Sequence, residues 1–79
     1  MKNLGAFVAE YRRQLLAAVE RDSDAYCYGP AEVPRVVDRM AAAFERGSYN
    51  KDGRAIRATC KALGVKYTYA GINSFLNGI

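Results

Sequence analysis

The stretch AIRATCKALGVKYTYAGINSFLNG, residues 55–78, reads as two helical segments on either side of a glycine. In the first segment Ile56, Cys60 and Leu63 recur at spacings of four and three, which places them along one side of an α-helix. Gly64 ends this helix, because glycine readily adopts the left-handed conformation found after helix C-termini. Thr68 is a predicted N-cap for the second helix. The second helix carries the apolar residues Tyr69, Ile72, Phe75 and Leu76 and ends at Gly78.

Two further helices are predicted upstream. The first runs from Leu4 to Arg21, with Asn3 as a side-chain N-cap. Its apolar stripe comprises Leu4, Val8, Tyr11, Leu15, Ala18 and Val19, with Phe7 beside it. The second begins near Pro34, which suits a first helical turn, and ends before Gly47. Its stripe comprises Val33, Val37, Met40 and Phe44, with Val36 and Ala43 on its edge.

The loop of residues 22–34 and the chain end complete the architecture. Tyr26 and Tyr28 flank Cys27 in that loop and either form an exposed contact pair or cover the end of the bundle. Asp52 is the predicted N-cap of the third helix, and Ile79 is expected to fold back on the core. No strand pattern competes, since Val65–Tyr69 is too short to stand alone. The sequence predicts an all-α fold, a compact bundle of about four short helices forming one domain over residues 1–79.

The composition excludes most catalytic chemistry. The chain has 79 residues, is 51% hydrophobic and 25% charged, and contains no histidine, which removes the commonest general base and metal ligand. No phosphate-binding loop, calcium loop or paired carboxylate motif is present, and Cys60 lacks a histidine to activate it. We therefore expect a protein that is not an enzyme, with no catalytic residues, no cofactor and no metal site.

The sequence also bears on location. No run of about 18 apolar residues is present, and the N-terminal residues do not fit a secretory signal. Cys27 and Cys60 lie outside any zinc-binding pattern. We expect two free thiols, one of them on the apolar side of a helix, in a reducing, cytoplasmic setting.

The excess positive charge lies in the second half of the chain. The formal net charge is +4, and residues 1–40 contribute none of it because six basic groups there match six acidic ones. Arg54, Arg57 and Lys61 are spaced i, i+3, i+7 and share one helix face, opposite Ile56 and Cys60 and without carboxylates. Such a face either simply keeps the chain solvated or binds phosphates or acidic side chains. The candidate binding residues are Lys51, Arg54, Arg57, Lys61, Lys66, Tyr49, Tyr67 and Tyr69.

Residues 55–78 resemble the helix-turn-helix of phage Cro-type repressors in their LGV turn and in the later Ile72-Asn73 pair. That resemblance implies a second helix placed in the major groove of DNA. Two features depart from the family. The step from Gly64 to Ile72 is eight residues, whereas the family's pattern has six. The presumed reading helix also has no Lys, Arg or Gln. The side chains left to touch base edges are Thr68, Asn73, Ser74 and Asn77.

The stretch SYNKDGRAIRATCKALGVKYTYAGIN, residues 48–73, also resembles small open reading frames of phages and prophages of proteobacteria. Such genes include transcription regulators and anti-CRISPR inhibitors of host defence. The resemblance implies a non-enzymatic inhibitor that docks on a host protein or nucleoprotein complex, for example a CRISPR effector, and blocks nucleic-acid binding through the basic helix face. The alternatives are a DNA-binding transcriptional regulator with a helix-turn-helix-like hairpin and an assembly component that oligomerises. The sequence leaves open whether the chain is a monomer or a homodimer.

Overall fold

The computed structural model describes residues 1–49 and 53–79 of the chain. Within these residues the fold is all-α, as predicted, with four helices and two short 3₁₀ turns. Helix α1 spans Leu4–Arg21, α2 spans Val33–Arg46, α3 spans Arg54–Leu63 and α4 spans Tyr69–Asn77. The 3₁₀ turns, Ser23–Ala25 and Pro30–Glu32, lie between α1 and α2.

The helix ends follow local sequence signals. Gly47, Gly64 and Gly78 have φ angles of 71°, 70° and 76°, so each adopts the left-handed conformation predicted for a residue that ends a helix. The Thr68 hydroxyl accepts a hydrogen bond of 2.9 Å from the Gly71 N–H, which confirms it as the N-cap of α4. The predicted N-cap Asp52 lies outside the described residues.

Helix α1 is the centre of the bundle and packs against α2, α3 and α4. Its buried side chains are Phe7, Tyr11, Leu15 and Val19. The predicted stripe is confirmed at Tyr11, Leu15 and Val19. It differs at its start, because Phe7 is completely buried whereas Leu4 and Val8 are only half-buried. Phe7 is in line with Tyr11, Leu15 and Val19 at intervals of four residues, and this row faces the helices that pack against α1. The spacing of apolar residues alone did not distinguish this row from the one through Leu4 and Val8.

Aromatic rings form the middle of the core. The Phe44 ring of α2 lies 5.1 Å from Phe7, 5.6 Å from Tyr11 and 5.4 Å from Tyr49, measured between ring centroids, and all three contacts are edge-to-face. This geometry aligns the positive edge of one ring with the negative face of the next. Phe44 therefore ties α2 to α1 and to the segment that precedes α3.

The two ends of the chain meet, but by contacts other than those predicted. Asn3 does not cap α1 with its side chain. Its Nδ2 donates instead to the Phe75 carbonyl at 2.9 Å, and its backbone N–H donates to the Leu76 carbonyl at 3.0 Å. The Phe75 carbonyl also accepts from the Gly78 N–H at 3.0 Å, so Asn3 adds to the C-terminal cap of α4. Ile79 is 94% exposed, so the prediction that it folds back on the core is wrong.

The helix-turn-helix interpretation of α3 and α4 stays a prediction, and the structure gives most of its reading residues internal roles. Thr68 caps α4, and Asn73 accepts a hydrogen bond of 2.9 Å from the Tyr49 hydroxyl. The Asn77 side-chain amide donates to the Asn73 carbonyl at 2.8 Å. Of the side chains assigned to base edges, these three are therefore already engaged in holding α4.

Candidate functional site

Helix α3 has one buried and one exposed side. Ala55, Ile56, Thr59 and Cys60 are buried, and the Thr59 hydroxyl donates to the Ala55 carbonyl at 2.6 Å. Arg54, Arg57 and Lys61 are all exposed, as their spacing predicts. We call these three residues the cationic face. The helix is held by its apolar side, so its charged groups are not needed to form the core.

The cationic face is not free of carboxylates, which corrects the sequence prediction. The Arg54 Nη1 lies 3.8 Å from Asp22 Oδ2, with 77% and 48% of the two side chains exposed. Packing of α1 beside α3 brings Asp22, the residue that follows α1, to the start of α3. An exposed pair at this distance contributes little energy, so Arg54 remains available to another anion.

Arg21 is a basic residue near this face that sequence reasoning missed. Arg21 and Asp22 line the same shallow groove between α1 and α3 as Arg54, with a volume of about 90 Å³. Among the described residues that line this groove, two arginines, Arg21 and Arg54, accompany one carboxylate, Asp22. The only sequence signal was the position of Arg21 in the last turn of α1.

Arg57 is oriented by an aromatic ring. Its guanidinium carbon lies 5.1 Å from the centre of the Tyr67 ring, a cation–π contact. Tyr67 is half-buried and packs against the core. The structure therefore joins these two predicted site residues, with the ring supporting the cation from the connection between α3 and α4.

Tyr49 was predicted as a binding residue, and the structure places it in the core. The residue is 7% exposed, and its hydroxyl donates to Asn73 Oδ1 at 2.9 Å. Burial, followed by the neighbouring Tyr69 and Cys60, raises the pKa of the Tyr49 hydroxyl. Its ring contacts Phe44 and its hydroxyl contacts Asn73, so Tyr49 joins the core to α4.

The other predicted residues divide between surface and fold. Tyr69 is 48% exposed and its ring centre lies 5.5 Å from that of Tyr49. Lys66 is exposed, while its backbone carbonyl accepts from the Thr68 N–H at 2.8 Å. Lys51 lies outside the described residues. Lys66 and Tyr69 are therefore surface residues, as are Arg54, Arg57 and Lys61.

A cavity of about 220 Å³ opens beside Arg54 and was not foreseen from the sequence. Tyr11, Tyr26 and Tyr28 line it, and the rings of Tyr26 and Tyr28 lie 5.8 Å apart. Both loop tyrosines are partly buried against the core, so they cover this end of the bundle rather than projecting from it. The closely spaced tyrosines of the loop were the one sequence signal.

Cys60 does not have the surroundings of a reactive thiol. Cys27 is exposed and Cys60 is buried on the inner side of α3, and both are unpaired. Burial raises the pKa of the Cys60 thiol, which disfavours the thiolate needed for nucleophilic attack. Within residues 1–49 and 53–79, no group of three or more Cys, Asp or Glu side chains is placed to hold a metal ion.

The helices of the described part of the chain are all too short or too polar to cross a lipid bilayer. Comparison with protein-family models, with curated protein sequences and with solved structures found no match to this chain.

Proposed function

We propose that the chain is a non-enzymatic, phage-type binding protein that docks through its cationic face on a nucleoprotein complex and blocks nucleic-acid binding there. An anti-CRISPR-like inhibitor of a CRISPR effector in the host cell is the most specific form of this proposal. The observation that carries it is the exposure of Arg54, Arg57 and Lys61 on one side of a helix whose other side is fully packed.

Charge defines which surface this face fits. A channel that holds nucleic acid is itself cationic, so it repels the cationic face. The acceptor must be anionic, and either acidic side chains beside the channel or phosphates already held in it meet that condition. A domain of this size bound there excludes further nucleic acid by occupying space. Long-range attraction also speeds the encounter at low salt.

Capture from a host lysate tests the proposal. The immobilised chain is expected to retain one dominant nucleoprotein complex. The triple variant Arg54→Glu, Arg57→Glu, Lys61→Glu is expected to lose that complex, because its face becomes anionic. The matched control reverses three exposed arginines of α2, Arg35→Glu, Arg39→Glu and Arg46→Glu, which changes the net charge by the same amount.

The two triple variants give opposite answers if the proposal is correct. Retention by the α2 variant together with loss by the α3 variant supports docking through α3. Equal retention by both, or equal loss from both, contradicts it, because net charge or another surface then controls binding. Circular dichroism at 222 nm verifies that each variant keeps its helices.

A duplex DNA-binding regulator is the second candidate, and one observation favours it. Gly64 in the left-handed conformation makes a tight turn between a cationic helix and a second helix. If the cationic face neutralises three phosphates of duplex DNA, log affinity should fall with log salt with a slope of about −2.7. Failure to bind any duplex at low salt excludes this candidate and leaves the first.

A further inference from the structure

A partly open cavity lies beside Arg54, at one end of the cationic face. Its volume is about 220 Å³, and it lies between α1, the loop before α2, α2 itself and the start of α3. Its walls include Tyr11, Tyr26, Tyr28, Met40, Ile56 and Arg54. The walls are mostly apolar, and the three tyrosines supply hydroxyl groups.

Tyr11 has a polar group that the described residues leave without a partner. The residue is 6% exposed, and its hydroxyl forms no hydrogen bond with residues 1–49 or 53–79, although it is not sealed from solvent. Burial and then the nearby hydroxyls of Tyr28 and Tyr26 raise its pKa to about 12, so it is a neutral donor at physiological pH. A purely apolar occupant would displace water from this hydroxyl and leave it unpaired.

The size of the cavity limits the occupant to a single ring with substituents. A dry cavity of roughly 150 Å³ already accepts benzene, whereas drug-sized ligands need roughly 300 Å³ or more. Three hydroxyls, each both donor and acceptor, match a flat ring with several polar atoms on its edge. A phenylalanine ring has no polar atom and a tyrosine ring carries a single one, so both match three hydroxyls less well.

Charge indicates what lies next to that ring. Arg54 stands at the cavity wall and is also the first residue of the cationic face, which continues through Arg57 to Lys61. A chain bound along this face therefore carries anions beyond the ring. Phosphodiesters on either side of a base meet this requirement, and aromatic rings are the usual platform for unpaired bases.

We propose that the cavity takes the base of one unpaired pyrimidine nucleotide of a single-stranded nucleic acid, while the neighbouring phosphates lie on the cationic face. This inference rests on the proposed function and specifies it: the anionic acceptor in the nucleoprotein complex is the exposed single strand. An acidic peptide carrying a tyrosine is the competing occupant, and the experiment separates the two.

Fluorescence anisotropy with the full chain tests the inference with two labelled probes. One is an oligothymidylate of about 12 nucleotides, and the other is an abasic oligomer with the same number of phosphates. The oligothymidylate is expected to bind about tenfold more tightly, since one stacked base adds about that much affinity. An acidic peptide containing tyrosine is expected to bind more weakly than either.

Variants assign the difference to the cavity. Tyr11→Phe keeps the ring and removes the hydroxyl, and is expected to lower oligothymidylate affinity three- to tenfold without changing the abasic affinity. Tyr28→Ala is expected to bring both probes to the same affinity. Tyr49→Phe, which removes a buried hydroxyl outside the cavity, is the matched control and should change neither. Thermal melting followed by circular dichroism identifies any variant that fails to fold, and Tyr11→Phe preserves the packing of the ring against Phe44.

The outcomes separate this inference from the function beneath it. Equal binding of the two oligomers, or tighter binding of the peptide, overturns the cavity proposal. In that case capture of the complex by the cationic face, tested by the α2 and α3 triple variants, still stands. Two results together support both proposals. The wild-type chain binds the oligothymidylate more tightly than the abasic oligomer, and the α3 triple variant binds neither.

Discussion

The two sides of α3 differ in burial and in charge. On the inner side, Ile56 and Cys60 are 2% and 1% exposed and contact the core. On the outer side, Arg57 is exposed and its guanidinium rests on the half-buried Tyr67 ring. Burial of apolar surface stabilises the fold, whereas exposed charges contribute little to it. Stability and binding are therefore carried by different residues of one helix, and mutations can separate them.

The largest effect is expected on the inner side. Ile56→Ala should lower the free energy of unfolding by about 2–5 kcal/mol, because it removes buried methyl groups and leaves a cavity. Arg57→Ala, the next residue on the outer side, should lower it by less than about 1 kcal/mol. Urea denaturation followed at 222 nm measures both. Similar losses in the two variants would show that the outer side is structural.

Gly71 and Gly5 differ in the space available for a side chain. A Cβ added at Gly71 would lie 2.5 Å from the Lys66 carbonyl oxygen and 2.8 Å from Lys66 Cβ, so the backbone would have to move. Gly71→Ala is expected to destabilise by about 1–3 kcal/mol. At Gly5 in α1 an added Cβ meets nothing within 4 Å, and Gly5→Ala should stabilise by about 0.5–1 kcal/mol. Thermal melting of both variants gives the signs, and a stabilising Gly71→Ala would contradict the close approach.

Alkaline pH is expected to lower the stability of the fold through the buried Tyr11, while the arginines stay charged. The pKa of Tyr11 is raised from 10.0 to about 12 by burial, then by Tyr28 and Tyr26. The folded state therefore holds this proton more tightly than the unfolded state. The resulting stabilisation is complete below pH 10 and is lost as the pH rises through 12, by up to about 1.4 kcal/mol per pH unit. Urea midpoints from about pH 8 upward measure the slope, and Tyr11→Phe should reduce it.

The smallest effect is expected from the surface ion pair. A double-mutant cycle with Asp22→Asn and Arg54→Ala should give a coupling energy below about 0.5 kcal/mol, because both side chains are exposed and 3.8 Å separates the charges. Asp22→Asn should at the same time increase affinity for a polyanion, since it removes the one carboxylate within 4 Å of the cationic face in the described part of the chain. A coupling above 1 kcal/mol would mean that Arg54 is committed to the fold.

Most of the fold was predictable because its signals are local. The bounds of α1, the position of Pro34 at the start of α2, and the three left-handed glycines were all read from neighbouring residues. Half of the candidate site was predictable for the same reason. Arg54, Arg57 and Lys61 share a face through helical spacing alone.

The rest of the site depends on which segments meet. Tyr49 is distant in sequence from Asn73, and its burial follows only when α4 packs beside the core. Asp22 reaches Arg54 because α1 and α3 lie side by side. Asn3 was expected to cap α1, the helix that follows it. Its side chain instead donates to the Phe75 carbonyl at the C-terminus of α4, a distant segment.

The sequence by itself determined four helices, their ends, and a set of cations confined to one side of α3. Hydrogen bonds and torsion angles within a few residues define those features, so they can be read from the sequence, although helices this short need packing against one another to stay folded. Only the tertiary structure decided that Tyr49 is internal, that Asp22 and Arg21 lie beside Arg54, and that Tyr11, Tyr26 and Tyr28 line one cavity. Contacts between distant segments are set by the packing of all four helices at once, and no local pattern encodes them.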